Sequence, residues 1–267
     1  MDKAGKKYWD NAWDSAVLPS GWSPLKHGLR YYIQKQFHEY FKRVFHSLGS
    51  VAGKKLIEIG CARSETLPYF AKEFGFEVTG IDYSEIGCKM AQAILEREGI
   101  KGTVFCEDFF APSDMLKEQF DVVVSFGVAE HFQDTAECIS AFSRFLKPGG
   151  IIITSIPNMV GMVGYTQKII NRPIFDMHVP IDKETLLSAH EKASLKVLDC
   201  NYFMSTNFGI CNLNGIPVGK PVWYIKKIII AMLARLSMVA WLLELKVGKF
   251  KATELISPYI NCLARKE

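Results

Sequence analysis

Residues 54–84 read KKLIEIGCARSETLPYFAKEFGFEVTGIDYS, and this stretch decides the fold. The pattern predicts a short strand at 56–59, a turn at Gly60, a helix at about 65–74 and a second strand that ends on Asp82. A helix that joins two parallel strands makes a right-handed crossover. Open α/β sheets bind their ligands outside the carboxyl ends of the strands, so the turn at Gly60 is a predicted binding site.

The chemistry of this turn favours a ligand that contains adenosine. Gly60 permits close approach of a ligand, and the helix that follows presents unpaired N–H groups. Asp82 lies 22 residues beyond Gly60, where a carboxylate can accept two hydrogen bonds from a ribose diol. A dinucleotide fingerprint would need glycine at Ala62 and Glu65, and the chain contains no phosphate-binding G-x-x-x-x-G-K-S/T loop. A cofactor without phosphates therefore fits better.

The run E-I-G-C-A at 58–62, followed by Asp82, resembles motifs I and II of class I S-adenosylmethionine-dependent methyltransferases. The family pattern is E/D-x-G-x-G-x-G; this chain keeps the acid and the first glycine and carries Ala62 and Ser64 at the other two positions. The resemblance implies S-adenosyl-L-methionine as cofactor. It also implies that the cofactor is bound by Glu58, Gly60, Cys61, Ala62, Asp82 and Tyr83.

Composition narrows the class of protein. The 267 residues could form one large α/β domain, and a net charge of +4 gives no case for a nucleic-acid partner. The seven cysteines lack zinc-like spacing, and we expect reduced thiols and a cytoplasmic location, with the inner membrane face as a peripheral alternative. Hydrophobic residues make up 49% of the chain, and they are concentrated near the C-terminus.

The first 48 residues are predicted to form a lid and a helix. Aromatic residues including Trp9, Trp13 and Trp22 occur here among prolines and glycines that interrupt any long helix at 1–28. The segment is either a surface stretch anchored by aromatic rings or a lid over the cofactor; the resemblance supports the lid, with Trp9 and Trp13 in contact with the acceptor. Helical spacing at 29–48 predicts a helix packed on the sheet.

Two further strand ends carry candidate site residues. A helix at 85–98, capped by Ser84, leads to a strand at 103–106 and then to Asp108 and Phe109. The acid and the ring suit adenine, although Asp108 could instead be a solvated turn residue.

The β-branched run at 120–126 predicts a central strand, followed by the loop G-V-A-E-H-F. This resembles motif IV of ubiquinone- and menaquinone-biosynthesis-type methyltransferases, which places Ser125 and Gly127 at the cofactor. A helix at 134–146, the K-P-G-G turn and a fifth strand at 151–156 follow.

The segment 157–181 has no periodicity and is interpreted as a long functional loop that contains the acceptor-binding candidates Asn158 and Tyr165. Asp182 is predicted to cap a helix through 193, before a sixth strand at 196–203. The phrase at 178–186 resembles the family's H-x-x-x-S/T-x-x-x-L helix entry, and 256–264 resembles its antiparallel seventh strand. We therefore expect a Rossmann-like doubly wound α/β sheet of order 3-2-1-4-5-7-6, with a core at 49–203 and its final strand in 250–267.

A hydrophobic insertion is predicted at 204–249, before the last strand. Residues 228–243 form a run of sixteen in which Arg235 is the single charged residue. This run is shorter than the roughly 20 apolar residues that a bilayer-spanning helix needs. Lysines flank the run at 226, 227, 246 and 249. The segment 222–246 is a helix buried in the core or a homodimer interface, a helix on a membrane surface, or a wall for a hydrophobic substrate.

Methyl transfer from a sulfonium is an in-line displacement, and a hydroxyl or amine acceptor must also lose a proton. His131 and His178 fall at the ligand edge and are the candidate bases, each with a structural role as the alternative. Glu130 is interpreted as a solvated acid rather than a group that orients a histidine. The sequence shows no metal constellation, so we expect none.

The sequence thus predicts a methyltransferase that acts on oxygen or nitrogen of a small hydrophobic acceptor. Two alternatives stay open. One is a non-catalytic scaffold or partner subunit with this fold, and the other is a protein-modifying methyltransferase.

Overall fold

A computed structural model describes residues 2–14, 16–19, 21–26 and 28–267. Its sheet has seven strands in the order β3-β2-β1-β4-β5-β7-β6, which confirms the predicted order. Only β7 runs antiparallel to its neighbours β5 and β6, as expected. The strands are β1 Lys55–Ile59, β2 Glu77–Asp82, β3 Gly102–Cys106, β4 Phe120–Phe126, β5 Leu146–Pro157, β6 Leu195–Phe203 and β7 Tyr259–Lys266.

Helices cover both faces of the sheet. They are α1 Lys6–Asp14, α2 Tyr32–His46, α3 Thr66–Phe74, α4 Glu85–Arg97, α5 Thr135–Ser143, α6 Met162–Ile170, α7 Arg172–Asp176, α8 Lys183–Lys192 and α9 Pro221–Val247. One buried core joins α5 and α8 to the sheet, and the other joins α2, α3 and α4 to it. Ile57 contributes to the first core and Leu56 to the second, because successive side chains of a strand point to opposite faces.

Two predicted helix caps, Ser84 and Asp182, are confirmed, and the structure adds a third at Asp134. Ser84 accepts a hydrogen bond from the Gly87 N–H at the start of α4, and Asp134 accepts one at the start of α5. Asp182 accepts from the Thr185 N–H at 2.7 Å. Each cap satisfies a backbone donor that the helix itself leaves unpaired.

One sequence expectation was wrong: the segment 157–181 is not one long loop, because it contains α6 and α7. Residues 6–14 form the short helix α1, which ends before the prolines and glycines that interrupt the segment. Of the alternatives left open for 222–246, burial in the core does not hold, because only 17% of the most apolar 18-residue window of α9 is buried. The division of the chain into four segments remains a prediction.

Phe41 lies at the centre of the α2 side of the fold. It is fully buried and packs against Phe70 and Phe126 with ring-centroid separations of 5.0 and 5.8 Å. It thereby links α2 to α3 and to the carboxyl end of β4. The site-bearing end of β4 depends on this packing.

We expect Phe41→Ala to lower the free energy of unfolding by about 3–5 kcal/mol, since it removes a buried ring and leaves a cavity. Urea denaturation measures the change. Met115→Ala is the control, because Met115 is 68% exposed and its truncation should change stability by about 0.5 kcal/mol or less. Equal losses in the two variants would contradict this packing.

Candidate active site

The turn after β1 places the backbone at the ligand edge. Gly60 has φ +75°, and a Cβ on it would come within 2.3 Å of Val128 Cγ2. Glycine is therefore required here both by conformation and by space. The Gly60 and Cys61 N–H groups both donate to the carbonyl oxygen of Ile81, which ties the turn to β2.

Asp82 holds the turn and α4 together. Its Oδ2 accepts from the Ala62 N–H at 3.1 Å and its Oδ1 from the Ser84 N–H at 2.8 Å. Burial raises the pKa of Asp82, while these backbone donors oppose the rise. The carboxylate thus sits at the end of β2, the position from which it was predicted to bind a ribose.

Glu58 forms the second carboxylate of the site. It is 5% exposed, and its Oε2 accepts from Ser64 Oγ at 2.7 Å and Thr66 Oγ1 at 2.6 Å. Burial raises the pKa of Glu58 to about 7, and the two hydroxyl donors partly offset that rise.

Ser64 stands where the family pattern has its third glycine. Besides binding Glu58, its hydroxyl oxygen accepts from the N–H groups of Thr66 and Leu67, each at 3.1 Å. Ala62 is confined as well, because a Cβ on Gly87 of α4 would approach Ala62 Cβ to 2.5 Å. The residues that replace the glycines therefore have defined roles in the turn.

A cavity lies over these strand ends. Several predicted site residues come together in it. The predicted residues that line it are Trp9, Trp13, Gly60, Ala62, Asp82, Tyr83, Phe109, Gly127 and His131. We call this space the cofactor cavity.

The N-terminal segment closes one side of the cofactor cavity. Trp9 stacks on Trp13 at 5.8 Å and meets the ring of His131 edge-on at 5.1 Å. Asp2 accepts hydrogen bonds from Trp9 Nε1 and from the Tyr83 hydroxyl. Trp9 and Trp13 were predicted to contact the acceptor, and the structure places them against the cofactor cavity.

Asp108 lies in a neighbouring cavity that shares Tyr83 and Phe109 with the cofactor cavity. Its carboxylate accepts from the Phe110 N–H at 2.9 Å. Phe109 is buried and lines the same cavity, so an acid and a ring lie at this end of the site, and their role in adenine binding stays a prediction.

Two predicted cofactor-binding residues do not reach a described cavity. Cys61 is fully buried, and its sulfur packs so closely on Gly80 that a Cβ added there would lie 2.5 Å from Cys61 Sγ. Ser125 is fully buried within β4, and its hydroxyl has no hydrogen-bond partner among the described residues. Both side chains pack inside the sheet, so neither contacts a ligand in this arrangement.

A second cavity opens on the other side of the β4 end. It shares Phe126 and Gly127 with the cofactor cavity and reaches Glu58 and Thr66. Its lining is mostly apolar. The remaining members are Trp22, Ile33, Gln34, Phe37, Arg63, Ser64, Glu65, Ser155, Ile156, Pro157 and Tyr259.

The two acceptor candidates at 157–181 need correction. Asn158 is fully buried, and its amide donates to the carbonyl oxygens of Glu254 and Ser257 at 2.6 and 2.9 Å. It joins the end of β5 to the chain before β7. Tyr165 is 60% exposed on α6 and lines none of the described cavities.

His131 and His178 are neighbours, with ring centroids 4.7 Å apart. Glu130 is 1% exposed, so its interpretation as a solvated acid is wrong; a 3-10 turn at Ala129–His131 places its Oε1 4.0 Å from His131 Nε2. Burial raises the pKa of Glu130 to about 8 and lowers that of His178 to about 4. The three side chains could hold a metal ion.

Sequence reasoning missed the rings of the second cavity. Trp22 was noted only as an anchor, and Phe37 and Tyr259 only as parts of a helix and a strand. They converge because α2 crosses beside β7, where the Phe37 and Tyr259 ring centroids are 5.3 Å apart. No sequence spacing signals a contact between residues 222 positions apart.

Comparison with known proteins identifies the family. The family described as Methyltransferase domain matches residues 50–196, more than half of the chain. The chain belongs to this methyltransferase family. A ubiquinone biosynthesis O-methyltransferase from Pseudomonas putida is 31% identical over 158 residues, which cover 56% of this chain and 68% of that protein. One from Klebsiella pneumoniae is 27% identical over 170 residues, covering 60% and 70%.

Solved structures share the fold. Geranyl diphosphate C-methyltransferase from Streptomyces coelicolor, solved with S-adenosyl-L-homocysteine, has a TM-score of 0.60 at 15% identity, with 98% of each chain covered. Phosphoethanolamine N-methyltransferase 2 from Haemonchus contortus, solved with S-adenosyl-L-methionine, has a TM-score of 0.57 at 16% identity, covering 98% of this chain and 58% of that one. Our protein is a class I S-adenosylmethionine-dependent methyltransferase.

The cavity chemistry fits this cofactor. S-adenosylmethionine carries a positively charged sulfonium and an ammonium group. Carboxylates stabilise such cations in a partly desolvated site. The protein places Asp82 at the cofactor cavity, with Asp10 held near it by a 2.6 Å hydrogen bond from Ser84 Oγ, and Glu58 at the adjoining second cavity.

The buried Glu58 predicts a pH dependence of stability. Its folded-state pKa of about 7 lies above the usual 4.5, so its contribution is complete below pH 4.5 and is lost as the pH rises through 7. Relative to Glu58→Gln, the cofactor-free wild type should lose about 3 kcal/mol of unfolding free energy between pH 4.5 and 8. Urea denaturation across that range measures it.

Saturating S-adenosylmethionine should reduce this loss, because its cationic groups favour the ionised carboxylate. Asp114→Asn is the control, since Asp114 is exposed and lines neither the cofactor cavity nor the second cavity. Parallel pH profiles for wild type and Glu58→Gln would refute the raised pKa.

Proposed function

We propose that this methyltransferase transfers a methyl group to a hydroxyl oxygen of a small, largely apolar acceptor that occupies the second cavity. The observation that carries this proposal is the junction of an apolar cavity with the cofactor cavity at Phe126 and Gly127. Oxygen is favoured over nitrogen because the Pseudomonas putida and Klebsiella pneumoniae relatives are named O-methyltransferases.

The junction supports an in-line displacement. S-adenosylmethionine supplies an activated methyl group, and the protein must align the acceptor with it and exclude water. Gly127 has φ +71° at the end of β4, so the chain turns away where the two cavities meet. Small backbone at this point leaves room for the reacting atoms.

The lining indicates a flat acceptor. The rings of Trp22, Phe37 and Tyr259 surround the cavity, and aromatic surfaces favour stacking on other rings. Trp22 Nε1 is buried and has no hydrogen-bond partner among the described residues. An oxygen of the methyl-accepting substrate would accept a hydrogen bond from this buried donor, and that bond would orient the substrate ring.

Alignment carries more of the catalysis than proton transfer in this proposal. His131 lines the cofactor cavity, and neither it nor His178 is among the described residues around the second cavity. Neither histidine is therefore proposed as the base, and the hydroxyl proton of the acceptor would pass to solvent water as the methyl group is transferred. The histidines instead shape the cofactor side of the site.

Trp22→Phe tests the orientation of the acceptor. The assay uses radiolabelled cofactor and a panel of small phenols. For a phenol that the wild type methylates, we expect the KM to rise about five- to tenfold, because the variant loses one hydrogen bond of roughly 1–1.5 kcal/mol. The KM for S-adenosylmethionine should not change. Trp223→Phe, on α9 outside both cavities, is the matched control.

Two results would count against the proposal. Transfer to no phenol in the panel, with cofactor binding intact, would point to a different acceptor class. Equal KM values for the phenol in both tryptophan variants would remove Trp22 from acceptor binding.

We further propose that α9 rests on a membrane surface. By length and composition α9 could cross a bilayer, yet its C-terminal half is fastened to the domain. Trp241 stacks on Tyr32 at 5.0 Å and donates to the carbonyl oxygen of Thr206 at 2.9 Å, and Ser237 Oγ accepts from the Phe208 N–H at 3.0 Å. A fastened helix lies on a bilayer more readily than it spans one.

The exposed side of α9 is apolar and basic. Lys227, Arg235 and Lys246 are exposed, while its acid, Glu244, is buried and bonded to the Tyr32 hydroxyl. An antiparallel pair of two copies would bring Lys227 of one near Lys246 of the other, so like charges oppose a homodimer. Anionic lipid complements this surface. The exposed apolar residues are Val222, Tyr224, Ile225, Ile228, Ile229, Met232, Leu236, Met238, Val239, Leu242, Leu243, Leu245 and Val247.

The membrane proposal is tested by sedimentation with vesicles that contain phosphatidylglycerol. Wild type should pellet with the vesicles at low salt and less so at high salt, and the double variant Leu236→Glu/Leu243→Glu should stay in the supernatant. Met115→Glu is the control at an equally exposed site. Wild type that remains in the supernatant, or a dimer in light scattering that the double variant abolishes, would overturn it.

A further inference from the structure

Two segments distant in sequence meet beside the cofactor cavity and bring together Glu130, His131 and His178. One donor atom from each lies within 4.8 Å of the other two. Glu130 and His131 come from the turn after β4, and His178 comes from the chain after α7. Sequence spacing gave no sign of this set, because His178 is 47 residues beyond His131.

The carboxyl group of Glu130 needs a partner. Its residue is 1% exposed, and Oε2 has no hydrogen-bond partner among the described residues. A buried carboxyl oxygen without a partner is costly, so such an atom calls for an explanation. Its other oxygen, 4.0 Å from His131 Nε2, is beyond hydrogen-bond distance.

Both imidazole rings are fixed through the opposite nitrogen. His131 Nδ1 lies 3.1 Å from the carbonyl oxygen of Met177, and His178 Nδ1 lies 2.7 Å from that of Ile174. A ring that donates from Nδ1 carries its lone pair on Nε2. This is the arrangement in which histidine binds a metal, with the backbone carbonyl fixing the tautomer.

From this geometry we propose that Glu130, His131 and His178 form a binding site for a first-row divalent ion, with Zn²⁺ as the expected occupant. Two imidazole nitrogens and one carboxylate oxygen are a common zinc donor set, which leaves a position open for water or another ligand. Donors bound tetrahedrally at about 2.1 Å lie about 3.4 Å apart, so the side chains must close by roughly 1 Å.

The charged groups nearest the site are Asp2, which favours a bound cation at His131, and Lys3, which opposes one at both histidines. Lys3 and Asp2 act on His131 with opposite signs, and the Lys3 ammonium is hydrogen-bonded to the carbonyl oxygen of His178 at 2.8 Å. Backbone bonds already join the same segments, from Lys3 N–H to His131 and from Val179 N–H to Glu130. An ion would therefore fasten the wall of the cofactor cavity, and the three residues act as ligands rather than as bases.

Cobalt substitution tests the site without any assay of methyl transfer. The full-length protein, treated with a chelator and dialysed, should take up one Co²⁺ per chain and develop visible d–d absorption, and Zn²⁺ should displace it. His178→Ala should weaken Co²⁺ binding at least a hundredfold. His46→Ala, which removes an exposed histidine at the end of α2, should bind as wild type does.

The wild-type result decides the matter even where a variant folds poorly. No visible band at millimolar Co²⁺, or a band that His178→Ala leaves unchanged while circular dichroism shows a folded protein, would overturn the site. Glu130→Gln provides a second folded-state comparison, with weaker binding expected because a carboxylate is lost.

Discussion

The buried carboxylate of Asp82 is the interaction on which the site depends. It accepts one hydrogen bond from the turn after β1 and one from the start of α4, so it joins two strand ends at the point where the ligand must lie. The arrangement is possible only because Gly60 has a left-handed conformation and no Cβ to collide with Val128. Every other ligand-edge contact is built outward from this junction.

A second constraint arises from Glu58. A carboxylate inside the sheet is costly when ionised, and the hydroxyls of Ser64 and Thr66 offset part of that cost. The departure from the family's glycine pattern is thereby explained: Ser64 gives up backbone freedom and contributes a hydroxyl that serves both Glu58 and the start of α3. The scaffold alternative, which rested on those missing glycines, loses its main support.

Much of the fold could be predicted from local sequence. The strand order followed from the resemblance, and the caps at Ser84 and Asp182 followed from residue chemistry. Long-range placement could not be predicted. The burial of Glu130 depends on a 3-10 turn, and the second cavity depends on α2 crossing beside β7, so neither leaves a periodic signal.

The hydrophobic insertion at 204–249 was likewise only partly predictable from sequence. Its composition predicted a helix but could not say which side was covered, and the structure leaves most of it exposed. Its contacts with Tyr32 and Thr206 place it next to the helix α2, whose residues Ile33 and Phe37 line the second cavity. A surface that favours a bilayer and a cavity that favours an apolar acceptor thus lie on adjoining parts of the molecule.

A crystal structure with S-adenosyl-L-homocysteine would test the central claim most directly. The account predicts a ribose bound to Asp82 and a thioether sulfur that faces the second cavity across Phe126 and Gly127. A sulfur directed away from that cavity, or a ribose that does not touch Asp82, would contradict it.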